Sequence, residues 1–507
     1  MTWENSAITI ATFLPIAGAV AILLIPKEKD RTIRIAGILV TGLAMLAALA
    51  MLPGYDFHAT GLQYELSVPW IPVIGANYHV GIDGISLPLY ELTFALSFLC
   101  AIYTYRYVPD PGKTKAFLAL MLLLQTGMAG TFIAFDLILF FVFWELVLVP
   151  MYFLIAVWGS ANRQYASIKF FLYTLFGSVF MLLAFLGLYF ASPGPHTWDI
   201  VDLTRLGADG AFGHTFQLIA FGGIMLGFAI KVPMWPVHTW LPDAHTEAPT
   251  IGSVLLAGIM LKMGTYGFVR IALPVLPDGA RAYAPLIGIL AAIAIIYAAL
   301  ACLAQKDLKR LIAFSSVGHM GFVMLGIATL TEIGINAAIF GMVAHGIITG
   351  MLFFCVGSIY DRYHTREIAQ IGGGMSQKMP YLGGVFAFVA IASLGLPGLA
   401  GFWGEVMALL SAFNPAPGLS VGLFRWLMVA GGIGTVLTAG YFLWMLQRVN
   451  MGVLPDRWSE KRFSDVLPVE WVAWLPLLAA TLILGLFPKL ILGVTNEAVS
   501  SLFALFK

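Results

Sequence analysis

The feature that most constrains this chain is a succession of apolar runs, each about as long as a bilayer is thick. Taking about 20 apolar residues per crossing, fourteen runs lie near residues 8–26, 33–52, 84–105, 114–133, 136–158, 166–190, 214–240, 251–273, 283–305, 310–330, 336–359, 381–410, 424–448 and 468–492. Water cannot solvate such a chain. Of its 507 residues 60% are hydrophobic and only 10% are Asp, Glu, Lys or Arg, against about 25% charged in a globular domain. A transmembrane β-barrel is excluded, because its strands alternate apolar and polar residues. The expected fold is an all-α polytopic membrane protein of about fourteen transmembrane helices.

Basic residues set the expected orientation. Nineteen lie in the connections after odd-numbered runs, from Lys27 to Arg462, and six on the other side: Arg205, Arg270, Arg281, Arg425, Lys489 and Lys507. The positive-inside rule then puts the basic loops in the cytoplasm and both termini outside. The bias also supports an even number of spans, since one missed helix would scramble it. The expected location is a bacterial cytoplasmic membrane. A formal net charge of +1 removes any electrostatic case for a nucleic-acid partner.

Cys100, Cys302 and Cys355 lie far apart inside apolar runs, with no C-x-x-C pair and no metal-ligand spacing. No phosphate loop or dinucleotide-binding glycine motif is present. Neither a metal nor a cofactor is expected in this chain. The opening Met1-Thr2-Trp3-Glu4 has no basic n-region, so the first run reads as a retained span and not a cleaved signal.

Two basic residues fall inside spans, Lys231 and Lys262, and the acids at similar depth are Glu145 and Glu405. A charge at the bilayer centre costs about 2.5–3.5 kcal/mol on insertion scales and is usually kept for function. Lys231 follows the deep run QLIAFGGIMLGFAI and precedes Pro233 and Pro236, so snorkelling is a poor explanation. Lys262 shares its helix face with Thr265 and Tyr266, which points to a water-lined interior. His319 follows Ser315 and Ser316 by one turn, and His345 precedes Thr349 by one turn. Such polar stripes suit a histidine that loads and releases protons near its ordinary value of about 6.5, although a helix-packing hydrogen bond is equally compatible. His238 and His245, in PVHTWLPDAHTEAP, read equally as proton entry and as ordinary loop residues; Asp136 reads as a helix start.

Spans seven and twelve are interrupted, by KVPMWPVHTWLPDAH and ASLGLPGLAGFWGE. Such breaks free backbone groups that protein or water must satisfy, so they mark buried cavities. They lie five spans apart, next to Lys231 and Glu405. If spans four to eight and nine to thirteen are two copies of one five-helix unit, the odd number of helices gives the copies opposite topology, a pattern that points to an ion pathway. The corresponding division is residues 1–110, 111–273, 283–450 and 451–507.

The stretches FVFWELVLVPMYFLIAVWG, KVPMWPVHTWLPDAHTEAPTIGSVLLAGIMLKMGTYG, KDLKRLIAFSSVGHMGFVMLG and GLPGLAGFWGE closely resemble the antiporter-like membrane subunits of respiratory complex I, the proton-pumping NADH:quinone oxidoreductase. The resemblance covers nearly the whole chain. It is strongest to the M-type branch, also called chain 4, because Glu405 stands where the L- and N-type branches usually carry lysine. The resemblance implies fourteen helices with inverted repeats and proton conduction along a central hydrophilic axis. It also implies that Glu145 pairs with Lys231, that Lys262 is the central lysine and Glu405 the terminal site, and that His319 and His345 bridge between them, with His238 a possible relay. NADH, FMN, iron–sulfur clusters and quinone would sit in partner subunits, with L- and N-type subunits and lipids as neighbours and the redox arm reached indirectly. A multisubunit sodium/proton antiporter shares the ancestral fold and is the alternative. The loop 52–84 departs from any usable motif.

Overall fold

The computed structural model describes residues 3–504; Met1, Thr2 and Lys507, used in the expectations above, lie outside them. The helices before the first broken span are α1 (Trp3–Leu24), α2 (Asp30–Leu49), α3 (Leu87–Thr104), α4 (Thr114–Ile133), α5 (Leu137–Trp158) and α6 (Arg163–Ala191). A short amphipathic α7 (Ile200–Ala208) leads into α8 (His214–Lys231). Span seven ends at Lys231, not at residue 240: the Pro233 and Pro236 turn intervenes, and α9 (Trp240–Glu247) resumes beyond it. There follow α10 (Thr250–Val275), α11 (Pro277–Leu303), α12 (Leu308–Ala328) and α13 (Glu332–Tyr363). Span twelve is two pieces, α14 (Pro380–Ser393) and α15 (Ala400–Phe413), because Gly395 and Gly398 at φ +78° and +92° turn the chain sharply between them. The chain closes with α16 (Val421–Val449), α17 (Pro468–Leu486) and α18 (Lys489–Ala504).

Thirteen helices among the described residues are long and apolar enough to cross a membrane, and the broken span twelve completes the expected fourteen. Some of their starts are capped by a local side chain. Asp136 accepts from the amides of Ile138 and Leu139 at 2.9 and 3.1 Å, and Asp307 from those of Lys309 and Arg310 at 2.8 and 2.9 Å. Each satisfies donors that a helix start leaves unpaired.

The apolar composition of a span does not say which helix lies at the centre. Every residue in the membrane window of α10 is buried, whereas most of α2, α6 and α16 faces outward. Small residues permit the close crossings that hold the centre. A Cβ added to Gly346 in α13 would lie 2.8 Å from the Gly258 carbonyl of α10, and one on Gly404 in α15 would lie 2.7 Å from the Gly341 Cα of α13. Two buried ion pairs tie distant parts of the chain together: Arg270 of α10 to Asp83, which lies just before α3, at 2.5 Å, and Arg362 of α13 to Glu470 of α17, at 2.7 Å.

Three features differ from the expectation. The loop 52–84 forms an antiparallel hairpin, β1 (Gln63–Ile71) and β2 (Ala76–Ile82). The last stretch, read as one run to residue 492, breaks near Phe487 and Pro488 into α17 and α18. Lys309, Arg270 and Arg362, counted with the loops and span ends, are all buried.

Candidate functional site

Lys231, the last residue of α8, is 2% exposed. Its Nζ stands 4.7 Å from the ring centre of Trp144 on α5, a cation–π contact that supplies partial compensation for a buried ammonium. Glu145, next to Trp144, is only half-buried. The two charges interact at a separation longer than a contact ion pair. The reason is geometric: consecutive residues on α5 point about 100° apart, and the indole occupies the side nearer Lys231.

Lys262 is fully buried in α10. The helix widens to π geometry over Leu256–Met260 and again over Phe268–Ala272, a distortion often found at functional sites. The wider turn presents the Ala257 carbonyl to the Lys262 ammonium, and Nζ also stands 2.7 Å from His345 Nδ1. The neighbours read as a water-lined face are bonded to protein instead. Thr265 donates to Met342 Sδ at 2.8 Å, and Tyr266 donates to the Phe132 carbonyl at 2.9 Å.

From His345 the row continues across helices. The rings of His345 (α13) and His319 (α12) lie 5.7 Å apart between centroids. His319 Nδ1 meets Glu405 Oε1 at 3.0 Å, and its Nε2 meets Ser393 Oγ at 2.9 Å. Ser393 ends α14 and Glu405 lies in the first turns of α15, so the break in span twelve brings both of its sides onto one imidazole. The serines expected to serve His319 do not reach it: Ser315 and Ser316 donate back to the Ile312 carbonyl. A cavity of about 30 Å³ lies among His319, His345, Thr349, Ser393 and Glu405, room for about one water. His345 Nε2, Thr349 Oγ1 and Glu405 Oε2 make no hydrogen bond among the described residues.

Not every expected residue joins this row. His238 packs edge-on against Tyr297 at 5.0 Å, and His245 stacks on Phe353 at 4.6 Å. The His245 ring is fully buried and near enough to Lys262 and Lys309 to feel their charge. On the basic-loop side, the carbonyls at the C-terminal end of α9 are held by cations from later in the chain: Arg366, in the loop after α13, donates to Thr246, and Lys309 of α12 donates to Ala248. Next to this knot opens a cavity of about 620 Å³, lined by Arg106, Glu247, Lys309, Asp361 and Arg366 among others.

Sequence reasoning missed Ser393 and Trp144, whose roles arise only from their neighbours. It also passed over Glu91, another acid inside a span, on α3, whose two oxygens are buried without a hydrogen-bond partner among the described residues. That signal was in plain view in LYELTF.

The Gly404 crossing positions Glu405. In a Gly404→Ala variant the new Cβ would press on Gly341 at 2.7 Å from Cα and 3.0 Å from N, and backbone cannot rotate away. The expected outcome is a loss of about 1–3 kcal/mol from overpacking, measured as earlier thermal unfolding of the purified assembly.

Apolar spans enclosing a contact series of one lysine, two histidines and a carboxylate define a polytopic membrane protein with a row of ionisable groups among its helices. The family model described as NADH:quinone oxidoreductase/Mrp antiporter, TM matches residues 134–438, and the chain belongs to that family. It is 40% identical to NADH-quinone oxidoreductase subunit M of Rhodobacter capsulatus, over 98% of this chain and 96% of the relative. Among solved structures, a chain of respiratory complex I from Thermus thermophilus superposes with a TM-score of 0.87 at 30% identity, covering 99% of this chain and all of the other. A chain of the Mrp complex from Dietzia sp. shares the fold, with a TM-score of 0.84 at 21% identity over 99% of this chain and 98% of the other.

Proposed function

We propose that this chain is the M-type proton-translocating membrane subunit of an NADH:quinone oxidoreductase, carrying protons from the cytoplasm to the outside through its buried axis. The observation that carries the reading is the contact series Lys262–His345–His319–Glu405, drawn from four different helix segments. Hydrogen bonds between any polar side chains would suffice to pin these helices, whereas this series abuts groups that can exchange protons with one another.

In this reading protons enter through the cavity beside Glu247 and Lys309, where His245 lies near, and His238 stands at the proline break. Lys231 loads next, tuned by Glu145 through space. Lys262, His345 and His319 pass the proton to Glu405. The asymmetry of basic loops supports a bacterial cytoplasmic membrane with both termini outside. The two breaks, each beside a buried charge, support a division into 1–110, two inverted five-helix units at 111–273 and 283–450, and 451–507.

Moving one charge against 100 mV costs about 2.3 kcal/mol. Quinone reduction in partner subunits holding FMN and iron–sulfur clusters supplies that energy, and no redox centre is assigned here. L- and N-type subunits and lipids flank the chain, and the redox arm acts on it indirectly. The shared fold of the Mrp chain favours a second reading, a sodium/proton antiporter subunit.

The test is NADH-driven acidification of inverted membrane vesicles, with and without sodium, comparing wild type with Lys231→Ala at matched assembly. The expected result is sodium-independent pumping that the substitution strongly reduces. Undiminished pumping in the variant refutes the role of Lys231, and strict sodium dependence favours the antiporter.

A further inference from the structure

On the face away from the basic loops, a second titratable cluster lies outside the membrane axis. His79 of β2 is buried, with both ring nitrogens against carboxylates: Nδ1 lies 2.5 Å from Asp199 Oδ2 and Nε2 lies 2.8 Å from Glu65 Oε1. Asp199 caps α7, accepting from the amides of Val201 and Asp202, and Glu65 sits half-exposed on β1. The remaining groups facing the cluster are the Phe135 ring, 5.9 Å from the imidazole, and Asp136, near enough to Asp199 to repel it. Neither supplies a positive charge.

The cluster knits three segments to the start of α5. The Phe135 amide donates to the His79 carbonyl at 2.9 Å, the Ile200 amide to the Phe135 carbonyl at 2.8 Å, and the Leu137 amide to the Trp198 carbonyl at 2.9 Å. The Asn77 amide also donates to Asp136 Oδ2 at 2.9 Å. Every strand of this knot passes within a residue or two of His79 or Asp199.

An imidazolium has two N–H donors, and both carboxylates accept only. A neutral imidazole has one, so one ring nitrogen then turns its lone pair on a carboxylate. The clasp is therefore complete only when His79 is protonated. We propose that His79, Asp199 and Glu65 form a pH-sensitive clasp that anchors the start of α5 while closed and loosens when the solution on its own face turns alkaline.

The electrostatics agree in sign. Burial opposes the charged imidazolium, but Asp199 and Glu65 together outweigh it and hold His79 above its ordinary value, while His79 and the amides of Val201 and Asp202 together outweigh burial and hold Asp199 below the usual carboxylate range. A raised histidine stabilises the folded arrangement fully below about pH 6.5 and loses that contribution as pH rises through the raised value. Opening thus falls on the alkaline side. Glu145 lies nine residues along α5 from Asp136, about 13 Å at 1.5 Å per residue. On the orientation and role proposed above, outside alkalinity would loosen the helix that tunes Lys231.

The test is hydrogen–deuterium exchange of the intact complex in lipid nanodiscs between pH 6 and 9, corrected for intrinsic exchange. The amides of residues 134–139 are expected to lose protection in a single titration step as the pH rises. Glu65→Gln should abolish the step, because the glutamine amide can donate to a neutral imidazole; Glu65 is exposed enough that the fold tolerates the change. A flat wild-type profile, or a step that survives Glu65→Gln, overturns the clasp. NADH-driven pumping by inverted vesicles loaded at pH 6 and at pH 9 tests the link to α5 separately: a step in exchange with unchanged coupling leaves the clasp standing and overturns only that link.

Discussion

Replacing Lys262 by methionine is expected to abolish NADH-driven proton pumping while the complex still assembles. Methionine nearly matches the length of the lysine stem and is apolar, so the fully buried site keeps its packing and loses only its ammonium. What disappears is the group that bridges the Ala257 carbonyl and His345 Nδ1. A positioned proton-transfer group contributes about 10²–10⁴-fold, so the pumping rate at matched assembly should fall by about a hundredfold or more. Lys262→Arg is the informative companion, because arginine restores the charge but does not release a proton at working pH. Pumping rescued by arginine would show that charge alone matters at this position and would overturn the relay; loss in both variants supports it.

Breaking the buried pair between Arg362 and Glu470 is expected to be the most destabilising single change outside the axis. The Glu470 side chain is inaccessible and the Arg362 side chain is 5% exposed. The guanidinium donates to both carboxylate oxygens, at 2.9 and 2.7 Å, and to the carbonyls of Ser358, Ser464 and Asp465. Glu470→Ala leaves that cation buried without its counter-charge, a change that costs about 3–5 kcal/mol. Thermal unfolding of the purified assembly should show it. Replacing both partners by methionine should recover most of the loss, since well-packed apolar pairs often equal a buried ion pair. A double variant no more stable than Glu470→Ala would mean that the pair serves a role beyond neutralising its own charges.

What could be read from the sequence was what acts within a turn or two of chain. A run of about 20 apolar residues declares a span. Lys231, Lys262 and Glu405 stand out because a charge in such a run is costly, and Asp136 because a capping acid works on amides two and three residues away. The prolines and glycines at 233–236 and 395–398 announced both breaks for the same local reason. The hairpin at 63–82 gave no such signal: VPWIP and GANYHVGI lack a clean alternation, and the strand pairing closes through its partner.

Only the tertiary structure decided which ionisable groups meet. His319 and Glu405 are 86 residues apart, Lys262 and His345 are 83 apart, and Arg362 and Glu470 are 108 apart. Their meeting depends on crossings at Gly258, Gly341, Gly346 and Gly404, and on a broken span that delivers Ser393 and Glu405 to one ring. The same holds for Trp144 taking the place beside Lys231, and for His79 between two carboxylates contributed by separate segments. Apolar length and the cost of a buried charge are properties of a segment and its solvent, so one chain suffices to read them. Contact between side chains on different helices is a property of packing, and it exists only once the spans have been set against one another.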